Sequence, residues 1–301
     1  MENGEPGRKT WVIAVGNQKG GVGKTSNTVA LASALGELGR LCLIWDLDMN
    51  QGATRHFGIP SESFLGTFEI LVGDENPEDL ILTNDDEEVD LPKNVHLIPA
   101  RRNLEKIDQA LVAKNKFVIT QDVLREPVRR LLGRYDYIFL DTAPNATTPT
   151  IAAYKAADWF ILSAMPDPFA IAGLNDALKD IEAARRHGNP GLRLLGVILS
   201  GVDRRTSLAN TLTDYVQQLF APDGTESLKF KTTISRSTVI PQAQKVGKTI
   251  FQTHPSHKVT EQYRALAREL EDRLQRFGQT SSGYREHAQQ EPQMEKALGN
   301  G

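Results

Sequence analysis

Residues 16–26 read GNQKGGVGKTS and give the strongest indication of the fold. This stretch follows a short apolar run at 11–15 and leads directly into a helical pattern, which is the strand, loop and helix order of a phosphate-binding loop. Its glycines allow successive backbone N–H groups to face a phosphate, while the start of the helix adds a partial positive charge. In such a loop Lys24 reaches the β and γ phosphates and the Thr25 hydroxyl binds Mg²⁺. The sequence therefore predicts a nucleotide-binding protein.

Short runs rich in Val, Ile and Leu alternate with helical patterns along the chain, which is typical of βαβ units. Strands are predicted at 11–15, 41–45, 95–99, 137–140, 159–165, 194–200 and 230–234. Helices are predicted at 24–38, 104–113, 119–132, 170–187, 207–220 and 259–277. We therefore expect an α/β fold of the P-loop NTPase type, in which a mostly parallel twisted sheet is covered by helices on both faces.

Length and composition indicate one globular domain. The chain has 301 residues, of which 40% are hydrophobic and 24% charged, which is enough for a full core. We expect a flexible N-terminus at 1–9, a single domain at 10–277 and a disordered polar tail at 278–301. Neither a signal peptide nor a run of eighteen apolar residues is evident, so we expect a cytoplasmic protein. The single cysteine, Cys42, lies in an apolar run and is expected to be buried.

Charge is unevenly distributed, although the formal net charge is only −3. Nine acids lie between 74 and 90, and we expect this stretch to be a solvated surface loop because like charges repel. Residues 227–260 carry six cations and no acid: Lys229, Lys231, Arg236, Lys245, Lys248 and Lys258. These cations either contribute to solubility or form a cluster that binds a polyanion.

The phosphate loop departs from the strict P-loop pattern, because Gln18 replaces the expected glycine and a second lysine, Lys19, follows it. KGGVGKT resembles the deviant Walker A family that includes ParA, Soj and MinD. The family's second motif, DLDPQGNAT, corresponds to DLDMNQGAT at 46–54, where Met49 and Asn50 replace the usual Pro and Gln. YDYIFLDTAP at 135–144 resembles the family's Walker B segment, with Ala143 in place of one proline.

The resemblance implies a role for each motif residue. The implied nucleotide-binding residues are Lys19, Gly20, Gly21, Val22, Gly23, Lys24, Thr25 and Ser26. Lys19 is implied to cross a dimer interface to the nucleotide of the other subunit, so the ATP-bound protein is a homodimer. Lys19, Lys24 and Asp48 are the implied catalytic residues, with Asp48 orienting the attacking water. Thr25, Asp46 and Asp141 are implied to hold or support Mg²⁺.

The residues alone leave another possibility open, since an aspartate after a strand can simply cap the next helix. For Asp46 and Asp48 this alternative stands beside the implied roles. The resemblance further implies a slow ATPase that a ParB-like partner stimulates.

Family members differ in what the ATP dimer binds: ParA and Soj bind DNA non-specifically, whereas MinD binds membrane through a C-terminal amphipathic helix. Here the extreme C-terminus is polar, and the last helical pattern fits a helix docked on the core, so we expect no membrane binding. SGVDRRTSL at 200–208 and ISRSTVI at 234–240 resemble the family's DNA-binding segments. They imply DNA contacts by Arg205 and Arg236, to which we add Lys245 and Lys248 because phosphate contacts need no fixed geometry. The expected location is the nucleoid.

Other functions remain as alternatives. One is a membrane-associated positioning ATPase of the MinD type, and another is a metabolic P-loop ligase of the dethiobiotin synthetase type, for which no substrate motif is evident. A reductase-type relative with an iron–sulfur cluster between subunits needs paired cysteines and is excluded, since Cys42 lies inside a predicted strand. The cargo is not identified by the sequence, because a plasmid, a chromosome origin and a protein assembly would all use the same mechanism.

Overall fold

The computed structural model describes residues 8–60, 62–87, 89–114, 122–167, 169–219 and 227–279. Most of the predicted flexible N-terminus and the predicted tail from 280 onward lie outside these ranges. The first two residues predicted for the tail, 278 and 279, instead belong to the last helix, which ends at Gln279.

Six strands form one sheet because each is a short apolar run that can be buried on both faces. They are β1 (Trp11–Gly16), β2 (Cys42–Asp46), β3 (Val95–Ile98), β4 (Tyr137–Asp141), β5 (Trp159–Ala164) and β6 (Arg193–Leu199). All paired neighbours are parallel, and their order across the sheet is β3-β2-β4-β1-β5-β6. The predicted α/β fold with a parallel sheet is confirmed.

Helices cover both faces of this sheet. In the described residues the α-helices are α1 (Lys24–Glu37), α2 (Gly52–His56), α3 (Thr67–Val72), α4 (Ile107–Ala113), α5 (Arg125–Leu131), α6 (Thr148–Ala156), α7 (Ala170–Arg186), α8 (Ser207–Leu219), α9 (Val239–Lys245), α10 (Ile250–Thr253) and α11 (Lys258–Gln279). Alternate residues of each strand face opposite layers. Val12 and Ala14 pack with α3–α8, whereas Ile13 and Val15 pack with α1, α2 and α9–α11.

The strand order fixes where a ligand can bind. The chain moves from β1 outward to β2 and β3, returns to β4 beside β1, and then continues to β5 and β6 on the other side of β1. In open parallel sheets a ligand binds at the carboxyl ends of the strands where the winding direction reverses. The phosphate loop leaves the carboxyl end of β1, and therefore lies at that position.

The seventh predicted strand, Phe230–Ile234, is wrong. Isolated bridges form only at its two flanks, from Lys229 to Val197 of β6 and from Ser235 to Val202 beyond β6. Side chains of α11 bind backbone groups of this segment and of the two residues before it. Arg273 donates to the carbonyl oxygens of Leu228 and Lys229 at 2.9 and 2.7 Å, and Glu269 accepts from the N–H groups of Lys231 and Thr232. These side chains take the place of part of a continuous strand ladder.

Several helices differ from their predictions. α6 was not predicted, and it begins with Thr147 as its N-cap and a proline in its first turn, which is a local start signal. The predicted helix at 104–113 begins as a 3-10 turn, Arg102–Lys106, before α4. The predicted helix at 119–132 corresponds to α5, and its first three residues lie outside the described ranges.

The acidic stretch at 74–90 is not the simple solvated loop that was predicted. It contains a 3-10 helix, Pro77–Leu80, and the buried Leu82 pairs with Leu97 of β3. Of the acids that the structure describes here, three form ion pairs: Asp74 with Lys114, Glu78 with Arg130, and Asp90 with Lys248. Its charge is therefore partly neutralised within the chain.

Two further expectations concern the burial of Cys42 and the presence of helices that could cross a membrane. Cys42 is a free, fully buried thiol, as expected, and burial raises its pKa well above the usual range. Among the described residues, no helix has both the length and the apolar character needed to cross a membrane.

His56 at the end of α2 makes stability depend on pH. Burial lowers the pKa of His56 to about 4, and its Nδ1 lies 3.2 Å from the Gln244 amide. In the unfolded chain the pKa of His56 is about 6.5. Below this pH the unfolded chain binds a proton at His56 that the folded chain does not bind, so the free energy of unfolding falls as the pH decreases toward 4. We expect His56 to remove about 2 kcal/mol between pH 7 and pH 5.

Urea unfolding at both pH values measures this effect. His56→Gln should flatten the pH dependence by that amount, while His187→Gln, at an exposed histidine, should leave it unchanged. Equal pH slopes for the wild type and His56→Gln would contradict the assignment.

Candidate nucleotide-binding site

The loop between β1 and α1 has the shape of a phosphate cradle. Gly21 and Gly23 adopt φ values of 75° and 84°, a left-handed conformation that only glycine adopts without strain. Gly23 caps α1 without any side-chain hydrogen bond, so the first N–H groups of the helix remain available to an anion. Gln18 needs no such freedom, since its φ is not positive and its amide donates to Asp180 at 2.7 Å.

Lys24 is the first residue of α1 and is only 7% exposed. Its Nζ donates to the carbonyl oxygen of Lys19 at 3.0 Å, which folds the side chain back across the loop. Burial lowers the pKa of Lys24, while Asp141 and Asp48 oppose this shift. A desolvated ammonium held in the loop can bind phosphate oxygens strongly, because little water competes with them.

Asp141 ends β4 and is fully buried. Its two oxygens accept hydrogen bonds from Thr25 Oγ1 at 2.8 Å and Thr28 Oγ1 at 3.0 Å. Burial raises the pKa of Asp141, and the neighbouring Asp46 raises it further. Thr28 was missed in the sequence, although its spacing of three from Thr25 places both hydroxyls on one face of α1.

Asp46 ends β2 and lies directly beside Asp141 in the sheet register. Its Oδ2 accepts from the Thr54 N–H at 2.9 Å and the Thr54 hydroxyl at 2.7 Å, and its Oδ1 accepts from the Asp48 N–H at 3.1 Å. Burial raises the pKa of Asp46 as well. These contacts fix both ends of the loop 47–53, so Asp46 holds this loop beside the phosphate cradle.

Asp48 lies in that loop and is 9% exposed. One carboxylate oxygen accepts from the backbone and side-chain amides of Asn50, at 2.9 and 3.0 Å. Gln51 takes a left-handed φ of 60° and Gly52 follows it, packed so tightly that a Cβ there would lie 2.7 Å from Thr25 Oγ1. The loop that carries Asp48 is thereby brought against the helix start that carries Thr25.

Mg²⁺ fits the donors that meet at this edge. The Thr25 hydroxyl and the Asp141 carboxylate are in contact, and hydroxyl, carboxylate and phosphate oxygens are the ligands that Mg²⁺ prefers. Asp46 and Asp141 are two buried carboxylates side by side, and their ionised forms repel each other. Lys24 offsets only part of this negative charge, so a bound cation would stabilise the site further.

Lys19 has a partner in its own chain. Its ammonium forms an ion pair with Asp167 and lies 5.3 Å from the centre of the Phe169 ring. Asp167 is held in place because it also accepts from the Phe169 N–H at 2.7 Å, and the Phe169 side chain is 70% exposed. Asp167 and Phe169 follow β5, far from Lys19 in sequence, and no local signal identified them.

Two of the four predicted DNA-binding residues line one cleft. Arg205 and Arg236 share an open cleft of about 550 Å³ with two further cations, Arg204, which was not predicted to bind, and Lys258, which belongs to the cation-rich stretch 227–260. Arg205 is bound by Asp203 through both its Nε and an amino nitrogen, which lowers the pKa of Asp203 to about 2. The side chain of Arg205 nevertheless remains 88% exposed.

The other two predicted residues lie elsewhere. Lys248 forms an ion pair with Asp90 at 2.9 Å, and Lys245 is an exposed residue at the end of α9. Neither belongs to the cleft of Arg205 and Arg236. The bridge between Val202 and Ser235 brings Arg205 and Arg236 together, whereas Lys245 lies at the far end of α9 and Lys248 follows it.

Comparison with known proteins identifies relatives over most of the chain. The model of a family described as an AAA domain (AAA_31) matches residues 10–194. The chromosome-partitioning ATPase Soj of Thermus thermophilus is 34% identical over 263 residues, which cover 87% of this chain and 96% of that protein. The sporulation initiation inhibitor protein Soj of Bacillus subtilis is 31% identical over 261 residues, covering 86% and 97%.

A solved structure is similar in fold. Cobyrinic acid a,c-diamide synthase from Mycobacterium smegmatis, with a bound ATP analogue and magnesium, superposes with a TM-score of 0.70 at 25% identity. The similarity covers 86% of this chain and 93% of that one.

Proposed function

Because the chain belongs to the ParA/Soj/MinD family of P-loop ATPases, we propose that it is an ATP-dependent dimerising switch that binds DNA of any sequence. In this role it segregates or positions a DNA molecule or another cargo. One observation carries the proposal: the phosphate cradle after β1 and a cleft with four cations after β6 lie at the same edge of one sheet. The cradle can bind the phosphates of a nucleotide, and the cleft can bind the phosphate backbone of DNA.

ATP and Mg²⁺ are the cofactors of this switch. Residues 19–26 bind the phosphates, Thr25 and Asp141 hold the metal, and Asp46 supports it by fixing the loop 47–53. Bound Mg²⁺ neutralises charge on the β and γ phosphates. The support for this assignment is the contact of Thr25 with Asp141 and the burial of Lys24 beside them.

Hydrolysis depends on Asp48 and Lys19. Asp48 orients the attacking water, since it lies on the loop that packs against Thr25. Lys19 reaches the nucleotide of a second copy of the chain, so that two ATP molecules join a homodimer. To do so the ammonium must exchange Asp167 for phosphate. Turnover is slow until a ParB-like partner stimulates it.

DNA binds at the cleft of Arg204, Arg205, Arg236 and Lys258, which would associate the ATP form with the nucleoid. Contacts of this kind are to phosphates and carry no sequence preference. Lys245 extends the basic surface. Lys248 extends it as well if DNA phosphate displaces Asp90 from the Lys248 ammonium.

We expect DNA binding to require ATP and to weaken steeply with salt. Each phosphate neutralised adds about −0.9 to the slope of log K against log salt, so Arg236→Ala should reduce that slope by about 1. Gel shifts with ATP, ADP and no nucleotide, over a series of salt concentrations, measure both effects. Arg129→Ala, at an exposed arginine of α5 paired with Glu126, is the control. Equal retention of DNA without nucleotide would count against the switch.

A metabolic ligase is the second candidate, because the fold is similar to that of cobyrinic acid a,c-diamide synthase. Its hydrolysis would not respond to DNA, whereas that of a partition ATPase rises with DNA and a cargo-bound activator. Vesicles added in the same assay test the MinD-type alternative, for which ATP-dependent sedimentation with lipid would be diagnostic.

A further inference from the structure

A buried amide on α1 joins three elements of the sheet and its helical layer. The side chain of Asn27 is fully buried. Its Nδ2 donates to Ser163 Oγ on β5 at 2.7 Å, and its Oδ1 accepts from Ser200 Oγ at 2.9 Å and from the Tyr263 hydroxyl of α11 at 2.8 Å. No part of this network is needed to bind phosphate or metal directly.

One end of the network holds the phosphate loop. Ser163 Oγ donates to the carbonyl oxygen of Val22 at 2.9 Å, and the Ser163 carbonyl accepts from the Asn17 amide at 2.8 Å. Asn17 in turn accepts from the N–H of Lys19 at 2.9 Å. Ser163 therefore holds the loop on both sides of Gly20 and Gly21.

The other end leads to the basic cleft by two routes. Ser200 is followed by the turn whose Val202 carbonyl accepts from the Arg236 N–H at 3.2 Å. Tyr263 is preceded on α11 by Gln262, which both accepts from the Ser235 N–H at 3.0 Å and donates to the Ser235 hydroxyl at 2.9 Å. Val202, Ser235, Arg236 and Gln262 all line the cleft.

We infer that Asn27 is a positioning residue that, with Ser163, Ser200 and Tyr263, couples occupancy of the phosphate loop to the shape of the basic cleft. The inference rests on the proposed function for the nature of the two ligands. Its physical basis is that a buried hydrogen-bonded network cannot lose one bond without leaving a polar group unpaired. If the Val22 carbonyl shifts on phosphate binding, Ser163 and Asn27 must therefore shift with it. The hydroxyls of Ser200 and Tyr263, which donate to Asn27, must then shift as well.

The glycine at 23 supports this coupling. A Cβ at Gly23 would lie 3.8 to 3.9 Å from Asn27, Ser200 and Ser163, so the loop passes close to three of the four members of the network. The Gly23 carbonyl also accepts from the Asn27 N–H at 2.8 Å. The loop is therefore joined to the network by packing and by the backbone of α1.

Tyr263→Phe tests the coupling, because it removes one hydroxyl and leaves the ring packing intact. The matched control is Tyr135→Phe, which removes the hydroxyl of another buried tyrosine, one that contacts His96 at 2.9 Å outside the network. Hydrogen exchange of residues 200–208 is measured with and without ATP and Mg²⁺. We expect ATP to slow exchange there in the wild type and in Tyr135→Phe, and the effect to shrink about fivefold or more in Tyr263→Phe. Ser200→Ala serves as a second variant should Tyr263→Phe fold poorly.

A second measurement compares DNA affinity with ATP and with ADP. The ratio of the two affinities should fall about fivefold in Tyr263→Phe, and the effect of DNA on ATP affinity should fall by the same factor, since coupling is reciprocal. A merely unstable variant lowers both affinities and leaves the ratio unchanged.

The outcomes separate the two proposals. An ATP response at 200–208 that is equal in all variants, or absent from the wild type, overturns the inference about Asn27. A wild type that shows the exchange response but binds DNA equally with ATP and ADP contradicts the proposed function and leaves the coupling intact.

Discussion

Lys24→Ala is expected to weaken ATP binding by at least about a hundredfold. Hydrogen bonds from a charged group contribute about 1.5–3 kcal/mol each, and Lys24 can give two, to the β and γ phosphates. The affected ammonium is buried beside Asp141 and Asp48, so no mobile surface lysine can replace it. Calorimetric titration with ATP and Mg²⁺ measures the loss directly.

The thermal midpoint provides the control for this variant. Wild-type protein should be stabilised by ATP and Mg²⁺ in proportion to ligand saturation, and Lys24→Ala should show no such shift while still unfolding cooperatively. Lys179→Ala, at an exposed lysine of α7, should behave as the wild type. An affinity of Lys24→Ala within threefold of the wild type would refute the phosphate-binding role.

Asp48→Ala is expected to reduce ATP hydrolysis by about 10² to 10⁴-fold, the range in which a positioned acid–base group contributes to catalysis. Binding of ATP should change little, since Lys24, Thr25 and Asp141 remain in place. The variant should therefore accumulate as a persistent ATP-bound dimer. Phosphate release gives the rate, and size-exclusion chromatography with ATP gives the dimer.

Asp48→Asn distinguishes carboxylate chemistry from loop shape. The asparagine can still accept from the Asn50 amides that now hold Asp48, so the loop should keep its conformation while the charge is lost. Both variants should lose hydrolysis equally if the carboxylate acts on water. Normal turnover in Asp48→Ala would exclude the role.

The phosphate loop was predictable because its determinants are local. Positive φ at Gly21 and Gly23 demands glycine, and the order of strand, loop and helix is written in consecutive residues. The seventh strand was mispredicted because Arg273 and Glu269 of α11, about forty residues away, form hydrogen bonds with backbone groups that a strand would use for pairing. Hydrophobic pattern alone does not reveal such a competitor.

The basic residues likewise depend partly on local sequence and partly on distant contacts. Arg205 and Arg236 meet in one cleft because the turn after β6 pairs with the segment after 234. Lys248 was grouped with them by composition, but its own neighbour is Asp90 of the acidic stretch. A sequence reports which charges exist, whereas the path of the backbone decides which of them face each other.

The fold class, the loop at 16–26 and the carboxylates at the strand ends could be predicted from the residues alone, since periodicity, glycine requirements and motif order act over a few residues. In contrast, Lys19 pairs with Asp167, 148 residues away, and Asn27 meets Tyr263 across 236 residues. Lys19 meets Asp167 because β1 and β5 are neighbours whose carboxyl ends share one edge, and Asn27 meets Tyr263 because α1 and α11 pack together on one face of the sheet. Such contacts could therefore be found only in the folded chain.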